Sequence, residues 1–168
     1  MKKEWDILKE AQGCLLIGIY SNRFTILQKN KDLLLLSTEP IIEIRKPNSA
    51  EEKYWKLESV EDDLGDDLLI FKEQETPDPL DYKLIDHPYQ KHIVMGSSFL
   101  VHKDKLIKKV KGYGFMDNQS EYLVSIVLEL ENVFISITAT PGSLIDIKIT
   151  DEEPNDERFH NLIALTSP

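Results

Sequence analysis

Short runs, some continuously apolar and some alternating apolar and polar at a period of two, recur along this chain between turn residues. LLIGIY, RFTILQ, LLLLST and IIEIRK follow one another early, separated by KNKD and EP. LIKKVKGYGF, EYLVSIVLEL, VFISITA and LIDIKIT follow one another late, separated by MDNQS, EN and TPGS. Successive side chains of an extended strand point to opposite faces, so short alternating runs bounded by turn residues predict half-buried strands. Near the start, EWDILKEAQ has helical spacing at Trp5, Leu8 and Ala11, with Gly13 as a stop. The pattern predicts an α+β, β-rich chain with two antiparallel β-meanders over 14–46 and 106–150 and short helices near the termini. The final helix is expected in DERFHNLIAL, with Phe159, Leu162 and Ile163 on one face.

The two strand sets resemble each other. Ile42, Glu43, Ile44 and Arg45 correspond to Ile145, Asp146, Ile147 and Lys148. This reads either as an internal duplication or as convergent patterning. Both readings bury the four isoleucines and turn Glu43, Arg45, Asp146 and Lys148 toward solvent or a polar face. A length of 168 residues suits a single domain over 1–168. Within it, an N-terminal half (1–48) and a C-terminal half (91–168) would be joined by an acidic segment, 49–90.

That segment is less regular. Ser49 stands three residues before Glu52 at capping-box spacing, so a short helix competes with an edge strand through YWKLES. DLLIFKE reads as a strand. QETPDPLDYKLIDHPYQ, with its prolines, reads as loop interrupted by one short extended piece.

Composition adds little until charge is placed along the chain. The formal net charge is −10, and between Glu51 and Asp86 there are 13 acids against 4 lysines. Lys91 to Lys111 holds six lysines against Asp104 alone. Overall acidity argues against a nucleic-acid partner, which needs clustered positive charge, and favours a protein with a basic surface. The lysines at the start run straight into Glu4 and Asp6 without an apolar stretch, and no run approaches a membrane span. The lone Cys14 lies in an apolar run. A reduced, cytoplasmic protein with a buried thiol and no membrane partner is expected.

Motifs for chemistry are weak. His87, His92, His102 and His160 show no metal-ligand spacing and read as surface or loop residues. EDDLGDDL has the acid content of a calcium loop but not its register, and reads as a solvated turn. GYGF lacks the third glycine of a dinucleotide loop, so a bulge or bend in a sheet explains it better. MGSSF is not a nucleophile elbow, and Glu129 and Glu131 read as outward polar positions beside a hairpin. No catalytic residue, metal site or cofactor is expected.

The adjacent aromatics Tyr54 and Trp55 stand at the start of the acidic region. With Glu61, Asp62, Asp63, Asp66 and Asp67 they form a candidate partner-binding surface, aromatic anchors supplying affinity and carboxylates speeding encounter. The competing reading packs Trp55 against a sheet. The expected function is a non-enzymatic, acidic binding protein, of the kind that acts as an immunity-type inhibitor of a basic toxin or nuclease. The alternative is a structural or accessory module acting as a homodimer or as a subunit of a larger assembly. An enzyme with a scattered site is the third class.

Overall fold

The computed structural model describes residues 2–154 and, by backbone alone, 163–165. One helix, α1 (Lys2–Ala11), precedes β1 (Leu15–Ser21), β2 (Thr25–Lys29), β3 (Asp32–Ser37), β4 (Ile41–Arg45), β5 (Glu52–Glu61) and β6 (Asp67–Gln74). There follow β7 (Tyr82–His87), β8 (Gln90–Val94), β9 (Ser97–Leu100), β10 (Lys109–Asp117), β11 (Ser120–Glu129), β12 (Phe134–Thr140), β13 (Leu144–Thr150) and β14 (Ile163–Leu165). Among the described residues these form two main antiparallel sheets. The first runs β6-β5-β4-β1-β9, and the second runs β10-β11-β12-β13-β3-β2, with the short β14 added at the β10 edge.

The alternation read from the sequence decides the layers. Ile42, Ile44, Trp55, Leu57 and Phe71 of the first sheet meet Leu35, Ile126, Leu128, Ile135, Ile137, Ile145 and Ile147 of the second in one buried core. The sheets therefore stack face to face, the arrangement that removes both apolar faces from water. Helix α1 adds Leu8 and Ala11 to this core. Its Trp5 lies over Gly112, where a Cβ would come within 2.3 Å of the indole. Gly114 follows a register shift between Tyr113 and Gly114, so the glycines of GYGF serve a bulge and a close approach, as expected.

The 106–150 meander is present as β10-β11-β12-β13. The N-terminal one is not. β1 pairs with β4 and β9, whereas the β2–β3 hairpin crosses to the second sheet and pairs with β13. Ser21 Oγ and Ser37 Oγ, 2.7 Å apart, pin the corner where the chain changes layer. β4 and β13 thus occupy different neighbourhoods, β1 and β5 beside one, β12 and β3 beside the other. Alternation specifies which face a residue takes but not which strand lies alongside, and this is why the two sets read as equivalent.

Residues 52–61 form a strand rather than a capped helix, and one interior to its sheet, between β4 and β6. The proline-rich segment 74–90 holds one extended piece, β7, as expected, and β8, which begins at its last residue, folds back on it as a two-stranded arm. The C-terminal helix expected over 156–165 lies mostly outside the described residues, and 163–165 pair as strand with β10.

Candidate functional site

Two features outside the core stand out, an exposed acidic hairpin and a buried polar network. The hairpin is the β5–β6 turn. Asp62 Oδ1 accepts the N–H groups of Leu64 and Asp66, each at 2.9 Å, and Gly65 takes the left-handed conformation the turn needs. Glu61, Asp63 and Asp66 are exposed, and Asp62 and Asp67 half-buried. Tyr54 and Trp55 do not join them. Both are buried, at 0% and 1% exposure. Trp55 packs into the core and Tyr54 lies on the opposite face of β5, so neither serves as an exposed aromatic anchor. The apolar residues beside the acids are aliphatic: Leu64 at the tip, 78% exposed, with Val60 and Ile70 on the hairpin stem. The sequence signal for Leu64 was present in EDDLGDDL, where that leucine sits in a turn that cannot bury it.

The network grows from the strand period. Ile42 and Ile44 of β4 enter the core, so Ile41, Glu43 and Arg45 face the other way. Glu43 lies opposite Gly18 of β1 and Tyr54 of β5, and Arg45 lies opposite Glu52. On this outer face Gly18 presents no side chain. A Cβ there would come within 3.0 Å of the Tyr20 hydroxyl. The Tyr20 phenol uses that space and donates to Glu43 Oε2 at 2.7 Å. Arg45 Nη2 bonds Glu43 Oε1 at 3.1 Å and Glu52 Oε1 at 3.3 Å.

The β7–β8 arm closes over one end. Glu52 Oε1 accepts the Lys91 N–H at 2.9 Å, and Glu52 Oε2 lies 2.7 Å from both the Tyr54 hydroxyl and His92 Nδ1. Arg45 Nη1 donates to the Tyr89 carbonyl at 3.1 Å. A carboxylate only accepts, so Nδ1 carries the hydrogen, and the Tyr54 hydroxyl is committed to Glu52 rather than to His92. The His92 ring is met edge-on by both Tyr54 and Tyr82. His92 is therefore a buried residue and not a surface one. No spacing rule marked it, because its partners are 38 and 40 positions away.

Burial sets the electrostatics. Desolvation pushes the Glu43 carboxyl above its ordinary range against the pull of Tyr20 and Arg45. Desolvation acts the same way on Glu52, but the Lys91 N–H, Tyr54 and His92 outweigh it and hold that carboxyl below its ordinary value. Burial and the adjacent carboxylates drive the Tyr20 and Tyr54 phenols far up, so both stay protonated donors. A groove of about 510 Å³ borders the network, lined by Glu51, Glu52, Glu75, Thr76, Lys91 and His92. Lys53 bridges Glu51 and Glu75 at 3.4 and 3.8 Å. Among the described residues no group of His, Cys, Asp or Glu is arranged to hold a metal ion. No hydroxyl or thiol nucleophile among them bonds to His92 Nε2. The arrangement orients an imidazole and fastens the arm.

No family model matches this chain, and neither a curated protein nor a solved structure matches it.

Proposed function

We propose that this chain is a non-catalytic acidic binding protein that neutralises a basic protein partner, in the manner of an immunity-type inhibitor. The observation that carries the reading is the β5–β6 hairpin, where Glu61, Asp62, Asp63, Asp66 and Asp67 surround the exposed Leu64. Focused negative charge accelerates encounter with a basic surface, and an apolar side chain at the centre of such a patch gains affinity when it is desolvated. The aliphatic stem residues Val60 and Ile70 take the place that the buried Tyr54 and Trp55 cannot fill.

The test retains proteins from the native host on the immobilised chain and, in parallel, on a variant with Glu61→Gln and Asp62, Asp63, Asp66 and Asp67→Asn. The amide oxygen that replaces the Asp62 carboxylate keeps the two N–H bonds of the turn, so the hairpin is preserved. The expected result is one basic protein held by the parent and lost from the variant, with its release promoted by salt. With that protein purified, the charge variant slows association while Leu64→Ser speeds dissociation. Equal retention by parent and variant overturns the reading.

A further inference from the structure

Strand β2 ends the second sheet, and among the described residues no strand pairs with its outer side. All of its residues are exposed, Ile26 at 61% and Leu27 at 54%. Ile26 stands beside the buried Leu35 and Leu27 beside Leu34, so one apolar side chain is open on each face of the sheet. Lys29 and Asp32 close a two-residue turn in which Asn30 takes the left-handed conformation. The closing pair of such a hairpin is hydrogen-bonded, so the backbone groups of Lys29, Leu27 and Thr25 face β3. Those of Ile26 and Gln28 point outward, and among the described residues they have no backbone partner.

Edges of this kind are commonly blunted by a proline, a bulge or a charge within the strand. The middle of β2 has none of these. The first proline of the chain is Pro40, the register with β3 is unbroken, and Thr25, Ile26, Leu27 and Gln28 are uncharged. Its charges stand at the ends, and their sign runs against that of the chain. No Asp or Glu occurs between Glu10 and Asp32, and Arg23, Lys29 and Lys31 flank the apolar middle on a chain of net −10. Lys31 lies 3.9 Å from Asp151, and Asp32 stands opposite Lys29 on the β3 side. The outer side of β2 is left to cations. Two antiparallel copies of β2 centred on Ile26 bring Arg23 of each toward Lys29 of the other, so the ends that repel a second copy attract acids. We propose that β2 takes up an extended acidic peptide as an additional strand. Main-chain bonds form at Ile26 and Gln28, an apolar middle covers Ile26 and Leu27, and carboxylates at the peptide ends meet Arg23, Lys29 and Lys31. This surface is opposite in sign to the β5–β6 hairpin and does not rest on it.

Fluorescence anisotropy of the full chain tests the proposal with a labelled peptide, a Val-Thr-Val-Thr-Val run flanked by glutamate pairs. The control is the same run flanked by lysine pairs. At about 0.15 M salt, screening confines the field of the acidic regions to their own neighbourhood. The glutamate peptide should bind with a dissociation constant in the micromolar range, and the lysine peptide should not bind. Amide exchange should slow at Ile26 and Gln28 and change little at Thr25, Leu27 and Lys29, whose N–H groups already face β3. Ile26→Pro removes an outward donor without touching the ladder to β3 and should weaken binding about tenfold. Arg23→Glu with Lys29→Glu, both at exposed positions, should reverse the preference to the lysine peptide. A parent that fails to bind the glutamate peptide at about 1 mM, or binds both peptides equally, overturns the proposal. So does an Ile26→Pro chain that binds like the parent, or a charge-reversed chain that keeps the parent's preference. Protection of Ile26 and Gln28 by self-association, without peptide, overturns the choice of occupant.

Discussion

His92 Nδ1 stands 2.7 Å from Glu52 Oε2, and the same carboxylate takes the Lys91 N–H from the neighbouring residue at 2.9 Å. Two consecutive residues of the arm thus converge on a single side chain whose exposure is 1%. Glu52 is the acceptor on which arm and sheet depend together. Around it are Arg45, Tyr54 and, through Arg45, Glu43.

Replacing Glu52 with alanine takes one of its acceptors from the Arg45 guanidinium and removes the carboxylate that accepts from a phenol, an imidazole and a backbone N–H. Leaving buried partners unpaired is costly, and a loss of about 3 kcal/mol is expected by denaturant titration. Amide exchange over 82–94 should accelerate beyond the global change, because the arm detaches before the sandwich opens. Uniform acceleration across both sheets would contradict the assigned role.

Acid should undo the same contact. The folded-state value of Glu52 lies below its ordinary 4.5, so its contribution is fully present above 4.5 and is lost as pH falls through the lowered value. Glu43 is raised above 4.5, so its contribution has the opposite sign and is lost as pH rises from 4.5 toward the raised value. The melting temperature of Glu52→Gln should therefore fall less than that of the parent as pH drops below 4.5, where the unfolded Glu52 takes up a proton that the folded one still resists. Glu43→Gln should lose the parent's decline just above pH 4.5. Parallel curves for the parent and both variants would refute the assignment.

Gly18 is needed for space. A methyl group there would meet the Tyr20 hydroxyl at 3.0 Å and Leu100 Cδ2 at 2.9 Å, both on side chains that can move. Gly18→Ala should displace the phenol from Glu43 and cost about 1–2 kcal/mol, with the loss smaller in a Tyr20→Phe background, where the ring carbon at 3.1 Å and Leu100 still crowd the methyl but no hydrogen bond to Glu43 is left to lose. Additive losses would show that the two positions do not share a contact.

Ile147 pairs with Ile137 on one side and Leu35 on the other, with no exposed surface. Ile147→Ala should lower stability by about 2–4 kcal/mol in a denaturant titration, the cost of a cavity between the sheets. An unchanged midpoint would deny the position its place in the core.

Much of the layer structure was readable in the alternation. Ile42, Ile44, Ile145 and Ile147 are buried as expected, Arg45, Asp146 and Lys148 face away from the core, and Glu43 meets a polar face rather than solvent. Strand partnership was not readable. β3 finds β13 more than a hundred positions later, and no local preference encodes that choice. The polar network was hidden for the same reason. Tyr20, Glu43, Glu52 and His92 lie on four different strands, and each alone looks like an ordinary polar position on a strand. The reading that packs Trp55 against a sheet is the one observed, and Tyr54 is no exposed anchor either, because adjacent strand residues face opposite ways. One of the two was bound for the core, and the other lies beneath the arm.

The corner at Ser21 and Ser37 bears on how the chain reaches its native state. Because β1 and β4 lie in one layer and β2 and β3 in the other, the opening third of the chain is laced through both. β1 awaits β9 and β3 awaits β13, so neither layer is completed by neighbours in sequence. Closure over such distances places refolding in the slow, milliseconds-to-seconds class of β-rich domains. The lacing also makes the two layers interdependent once formed. A nick in the β2–β3 turn at Asn30 yields fragments that each carry strands of both sheets, and they reassociate only by rebuilding both layers at once.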